Sequence, residues 1–275
     1  MGDGALTYNK NDFLGTAFRA AMLAGEYILE NLGRISNEDI DTKQASDFVT
    51  RVDKESEQLI IHTIKQNYPD HHFLAEESVK DSDTGDYRWI IDPLDGTTNY
   101  IHAYPVFSVS IALERKSELV LGVVYDPLRN EIFTAEKGKG AFLNGKQVNV
   151  STVSDLSNSL VATGFPFRRK ELIDPYLRLF RNIFNRVSDI RRAGSAALDL
   201  AHIAAGRCDC FFEIGLSPWD IAAGSLLIRE AGGIVTDFGG GPDYLLTGNI
   251  VCGNPFLQGD ILTDVKAVFG KLIDR

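Results

Sequence analysis

The run Trp89-Ile90-Ile91-Asp92-Pro93-Leu94-Asp95-Gly96-Thr97-Thr98-Asn99 constrains this chain more than any other segment. A short apolar strand signal ends in two carboxylates three residues apart, with a proline between them and a Gly-Thr-Thr turn behind. Such a turn can point both carboxylates inward, and Pro93 restricts the backbone so that the Leu94 carbonyl is left as a further hard oxygen. If Gly96 and Thr97 open a helix, their N–H groups face an anion. The arrangement suits metal ions and a phosphate side by side. A bare Asp-x-x-Asp reads first as an acidic turn; the longer string shifts the reading toward a site.

At 275 residues and 44% hydrophobic, the chain can bury a large core as one domain or as two lobes sharing a cleft. Its net charge of -10 argues against a surface that coats nucleic acid, because phosphate neutralisation needs clustered Lys and Arg. An anionic substrate therefore needs cations. No stretch near residue 1 has the order of a signal peptide and no apolar run approaches bilayer-spanning length, so no membrane association and a cytoplasmic location are expected. Cys208, Cys210 and Cys252 fit reduced core thiols better than a disulfide frame.

Apolar residues at helical spacing predict a helix from Asn11 to Leu32, ended by Gly33, and a second from Asp53 to the approach of Pro69. Phe73–Ala75 reads as a strand delivering Glu76. Strands are expected at Val106–Leu113, Leu119–Tyr125 and Glu131–Ala135, with turns at 137–140 and at Asn144-Gly145, as in an antiparallel meander. The second half alternates helices near Pro175–Phe184, Ser195–Ala205 and Asp220–Ala231 with strands at Leu160–Thr163, Cys210–Glu213, Ile234–Thr236 and Ile250–Cys252. The expectation is an α+β chain of helices layered on sheets, a single catalytic unit over 1–275. A soft boundary near 150–158 separates an N-terminal α+β lobe from a C-terminal α/β lobe.

Three further acidic elements can join the opening motif: 47–53 (Asp-Phe-Val-Thr-Arg-Val-Asp), Glu76-Glu77-Ser78, and 219–224 (Trp-Asp-Ile-Ala-Ala-Gly). Singly, Asp53 and Asp220 read equally well as helix N-caps and Glu76-Glu77 as a solvated loop. Together with the 89–99 motif, and with Glu230-Ala231-Gly232-Gly233 behind the last element, they resemble the inositol monophosphatase family of Mg²⁺-dependent, lithium-sensitive phosphatases, in its bacterial SuhB-type branch. The resemblance runs from about Asn11 to Pro255 and includes the loop Gly194-Ser195-Ala196-Ala197.

The resemblance implies a layered αβαβα sugar-phosphatase-like fold with mostly antiparallel sheets sandwiched by helices. It implies that Glu76, Asp92 and the Leu94 carbonyl hold one Mg²⁺, and that Asp92, Asp95 and Asp220 hold a second; a third, weaker ion near Glu76 is left open. All-oxygen sites of this kind suit Mg²⁺, and no His cluster argues for zinc. Catalysis falls to Thr97, Asp53 and Glu76: Thr97 steers the attacking water, Asp53 orients the Thr97 hydroxyl and accepts its proton, and Glu76 assists. Gly96 and Thr97 cradle the phosphate, while Gly194, Ser195, Ala196 and Glu213 meet the alcohol. Arg191 is a further candidate contact, level with a surface or subunit-interface role, and Arg192 leans to the latter.

The implied reaction is hydrolysis of inositol-1-phosphate, a small phosphorylated polyol, by direct water attack in a homodimeric enzyme. Alternatives are a same-scaffold phosphatase acting on fructose-1,6-bisphosphate or a phosphonucleotide, and an added role as partner of transcription antitermination proteins. Among the decoys, the run 81–86 has calcium-loop residues out of order and reads as a mobile acidic loop. The run 137–140 lacks the ending of a P-loop, and His71-His72 and Cys208-x-Cys210 lack zinc partners. Lys43 is read as an electrostatic contributor, and Phe48 as a conservative core replacement.

Overall fold

The computed structural model describes residues 12–44, 47–78 and 85–270. The acidic residues 81–84, Asn11 at the expected helix start and the Lys43 side chain lie outside the described residues. Helix α1 (Phe13–Asn31) begins behind Asp12, whose carboxylate caps the Gly15 amide, and stops before Gly33 at φ +72°. Ala17, Ala20, Ala21, Ala24 and Ile28 are wholly buried along one face. A hairpin that periodicity did not reveal follows, β1 (Ile40–Gln44) against β2 (Asp47–Thr50). It feeds α2 (Arg51–Asn67), which starts two residues earlier than expected: Thr50 is the N-cap, and Asp53 closes a capping box from the third helical position.

The larger sheet has seven strands in chain order: β3 (His72–Ala75), β4 (Tyr87–Asp95), β5 (Ser108–Arg115), β6 (Glu118–Asp126), β7 (Glu131–Glu136), β8 (Gly140–Leu143) and β9 (Lys146–Val148). Only the β3–β4 pair is parallel. A short helix, α3 (Thr97–Ile101), leaves the end of β4. The remaining chain places β10 (Leu160–Thr163), α4 (Ile173–Phe184), β11 (Asp189–Arg191), α5 (Ala196–Ala204), β12 (Cys210–Glu213), α6 (Pro218–Glu230), β13 (Ile234–Thr236), α7 (Tyr244–Thr247), β14 (Ile250–Gly253) and α8 (Gln258–Phe269). Its five strands order as β11-β10-β12-β14-β13, parallel through β12 and antiparallel beyond.

Apolar alternation along the strands divides the core into layers. Ile91 of β4 faces α1 and α2, while its neighbour Ile90 faces α5 and α6. The second sheet does likewise, Phe211 turning to α5 and α6 and Phe212 to α4 and α8. The order is therefore helix, sheet, helix, sheet, helix, the αβαβα sandwich of a sugar-phosphatase-like fold. Helix α6 is the middle of it and is buried on every side from Asp220 to Ile228. It approaches β6 so closely that a Cβ on Gly122 would lie 2.7 Å from the Ala223 carbonyl oxygen. The three cysteines are free and buried, and among the described residues no helix is long and apolar enough to cross a membrane.

Candidate active site

Strand β4 carries an irregularity where the motif begins. Asp92 pairs with Ser110 and Asp95 with Ser108, so Pro93 and Leu94 together oppose Val109 alone. Pro93 has no N–H for the ladder, which favours a bulge at this point. In a regular strand, residues three apart face opposite sides. The inserted residue returns Asp92 and Asp95 to one face, the one covered by α5 and α6.

Helix α6 brings the third acid. Ser217 is its N-cap, Pro218 its first residue, and Asp220 closes a capping box by accepting the Ser217 amide at 2.6 Å. Carboxylate oxygens of Asp92, Asp95 and Asp220 lie within 4.8 Å of one another, a set able to hold a divalent metal. One oxygen of each is already fixed by the protein. Asp92 accepts the Leu94 amide at 3.0 Å, and Asp95 accepts the Ser195 hydroxyl at 2.5 Å and the Ala197 amide at 2.8 Å. Asp220 uses Oδ2 for Ser217, with Arg168 3.7 Å away. The capped oxygens orient the carboxylates and leave an oxygen of each for the shared space.

Thr97 stands at the start of α3, behind Gly96 at φ +100°. Its hydroxyl donates to Asp53 Oδ1 at 2.7 Å and lies 3.1 Å from the Leu94 carbonyl oxygen. Asp53 divides its oxygens too, Oδ2 accepting the Thr50 amide at 2.8 Å and hydroxyl at 2.5 Å. No side chain caps the start of α3. Asn99 ties the motif to the second lobe by donating to the carbonyls of Val106, Ala193 and Gly194. Glu76 follows β3, its amide on the Ile91 carbonyl. The next residues are anchored by buried Glu57 of α2, which accepts the Glu77 amide and the Ser78 hydroxyl.

These elements enclose a cavity of about 300 Å³. Its wall includes Glu76, Asp92, Leu94, Asp95, Gly96, Thr97, Gly194, Ser195, Ala196, Glu213 and Asp220, all expected from the sequence. Glu76 is not one of the three acids whose oxygens meet. Ser195 carries its hydroxyl to Asp95, so it positions that carboxylate. Arg191 is not on the cavity wall; it is exposed and paired with Asp189 at 2.5 Å. Its neighbour Arg192 lines the cavity instead, as does Arg168 from the segment after β10. Asp199, in the first turn of α5, was likewise unanticipated: it is 3% exposed and on the wall. An aspartate in an alanine-rich helix carries no local signal of burial.

Burial sets the electrostatics. It pushes Asp53 and Asp95 up to about 6 and Asp220 to about 7, with neighbouring carboxylates adding to each. Asp92, Asp199 and Glu213 are held well above the usual carboxylate range for the same first reason. Six acids against Arg168 and Arg192 make a cavity hostile to a phosphate unless cations join it. Oxygen-only donors around a small shared space are the ligand set that Mg²⁺ accepts.

A sequence profile of the inositol monophosphatase family matches residues 9–268. The chain belongs to the inositol monophosphatase family. It is 52% identical to Nus factor SuhB of Escherichia coli over 263 residues, covering 95% of this chain and 98% of that protein. The extragenic suppressor protein suhB of Bartonella henselae superposes with a TM-score of 0.88 at 42% identity, covering 92% of this chain and 98% of that one. SaIMPase-II is more distant. With inositol monophosphate bound it is 29% identical with a TM-score of 0.76, covering 91% and 93%. With 2'AMP bound it is 28% identical with a TM-score of 0.79, covering 92% and 93%. Membership in the SuhB-type branch carries the family-level activity, Mg²⁺-dependent phosphomonoester hydrolysis, and the acidic cluster is consistent with it.

Proposed function

We propose that this member hydrolyses inositol-1-phosphate to inositol and phosphate, with Mg²⁺, by direct attack of water. The observation that carries the reading is the meeting of Asp92, Asp95 and Asp220 beside the Thr97–Asp53 hydrogen bond. Asp92, Asp95 and Asp220 would hold one Mg²⁺, and Glu76, Asp92 and the Leu94 carbonyl would hold another. Bound there, Mg²⁺ neutralises phosphate charge and makes water more acidic.

The chain's own groups do the rest. Thr97 accepts a hydrogen bond from the attacking water while donating to Asp53, so the water proton passes through the Thr97 hydroxyl to the Asp53 carboxylate as the oxygen–phosphorus bond forms. A carboxyl with a pKa of about 6 is ionised at neutral pH and is a better proton acceptor than an ordinary aspartate. The bond to the alcohol oxygen breaks, that oxygen takes a proton from solvent water as it leaves, and Asp53 returns the proton it accepted to solvent. The uncapped N–H groups at the start of α3 receive phosphate oxygens. Gly194, Ala196 and Glu213 line the alcohol side, with Arg192 where Arg191 was expected. The lobes meeting near 150–158 act as one catalytic unit.

Phosphate release with Mg²⁺ is measured on inositol-1-phosphate, glycerol-2-phosphate, fructose-1,6-bisphosphate and a 3′-phosphonucleotide. Inositol-1-phosphate is expected to have the highest kcat/KM; preference for either of the last two overturns the substrate assignment. The 52% identity to a Nus factor supports a second reading, an added role in binding transcription antitermination proteins. An Asp95→Asn variant, inactive as a phosphatase, is then expected to keep that binding, and loss of both counts against a separate interaction.

A further inference from the structure

We infer that Asp199 helps to select the alcohol: beside Glu213 it accepts a hydroxyl group of the leaving polyol and so favours esters of polyols over esters of alcohols without free hydroxyls. The inference rests on the phosphomonoesterase reading of the same cavity and adds a residue to it.

Asp53, Asp92, Asp95 and Asp220 each have an oxygen satisfied by an N–H or O–H of the protein. Asp199 and Glu213 do not. They are 3% and 6% exposed, both line the cavity, and neither side chain hydrogen-bonds to any described residue. Their oxygens are not sealed in the core but open onto the cavity, where the hydroxyls of an occupant can meet them. Both are firmly placed. Ser195 and Ala197 fasten the start of α5 to Asp95, which fixes Asp199 relative to the acidic cluster. Glu213 ends β12 beside β10, and its carboxylate fills the space a Cβ on Gly164 would take, so only glycine leaves it room there.

The chemistry of the occupant follows from the neighbours. Glu213 feels the charge of Asp199, and both feel those of Asp95 and Arg192, so a further metal ion would compete with a cation already present. Neutral hydroxyls donate hydrogen bonds and bring no charge. A site built to bind hydroxyls rejects an alcohol that lacks them, because its own buried acceptors are then left unpaired.

The test compares esters that differ only in free hydroxyls: inositol-1-phosphate against cyclohexyl phosphate, and glycerol-2-phosphate against isopropyl phosphate. In each pair the wild-type ratio of kcat/KM, polyol over hydroxyl-free, is set beside that of Asp199→Asn and Asp199→Ala. Both variants are expected to lower the ratio by about 10- to 100-fold, the worth of a hydrogen bond to a charged group. Partial misfolding scales both esters equally and leaves the ratio alone. A ratio within about twofold of wild type overturns the inference. If turnover is lost altogether, saturation-transfer NMR of myo-inositol on the Mg²⁺- and phosphate-loaded protein reads the same step. Weaker binding by Asp199→Asn supports the assignment, and equal binding overturns it. A wild type that prefers a bisphosphate to inositol-1-phosphate refutes the proposed substrate alone, since the glycerol pair still reports on Asp199.

Discussion

Individual acids here serve twice, because a carboxylate has two oxygens. Asp53 and Asp220 close capping boxes with one oxygen; with the other, Asp53 accepts the Thr97 hydroxyl and Asp220 joins the acidic cluster, so the helix-cap reading of each holds and leaves an oxygen for chemistry. That duality separates folding from chemistry in a mutant. Asp53→Asn keeps a side-chain carbonyl for the Thr50 amide but loses the proton acceptor, so kcat is expected to fall about 100-fold or more while helix α2 survives. Unchanged kcat would remove Asp53 from the reaction. The raised carboxyls also predict a pH dependence. Unfolded, these aspartates titrate near 3.8; folded and free of metal, Asp53 and Asp95 hold protons to about 6 and Asp220 to about 7. The folded state binds more protons, so its stability is greatest at low pH and is lost as pH rises from about 4 through 7. Bound Mg²⁺ needs the ionised forms and reverses the sign. The rise in melting temperature on adding Mg²⁺ to chelator-treated protein should therefore grow from pH 5 to pH 7.5; a rise that shrinks contradicts the assignment. At this scale the acidic cluster of Asp92, Asp95 and Asp220 was legible and Asp199 was not, since its place on the cavity wall depends on the second sheet closing over α5.

Among the elements, the bulge at Pro93 and the packing of α6 hold the cluster together. The motif announced two acids and a proline, yet only the pairing with β5 shows that the extra residue turns both acids to one face. Strands such as Leu160–Thr163 and Cys210–Glu213 were readable from short apolar runs between turn signals. The β1–β2 hairpin lacked such a run, and α8 escaped notice although Ile261, Val265 and Phe269 keep helical spacing into the core. Arg191 and Arg192 show the limit of adjacent residues: β11 ends between them, and which one turns inward is a matter of register. The contact of α6 with β6 is rigid backbone against backbone. Gly122→Ala is expected to destabilise the fold by about 1–3 kcal/mol, as overpacking does, and to weaken Mg²⁺ binding by moving Asp220. Denaturant titration and calorimetry check both. A variant with wild-type stability and Mg²⁺ affinity would mean that the close approach is not needed.

Across the whole molecule, the site is a place where all the inner layers meet. The larger sheet supplies Asp92 and Asp95, α2 supplies Asp53, the central helices supply Asp199 and Asp220, and the second sheet supplies Glu213. Crowding these acids opposes folding, and a bound cation offsets that cost: at a concentration 100 times its Kd, one Mg²⁺ stabilises the folded state by about 2.7 kcal/mol. The central claim is that Asp92, Asp95 and Asp220 together make a Mg²⁺-dependent phosphomonoesterase. The most direct measurement is phosphate release from inositol-1-phosphate during Mg²⁺ titration of chelator-treated wild type and Asp220→Asn. Wild type should be inactive without a divalent cation and recover fully with Mg²⁺, while Asp220→Asn stays at least about 100-fold lower at saturation. Equal release with and without Mg²⁺, or a fully active Asp220→Asn, would contradict the account.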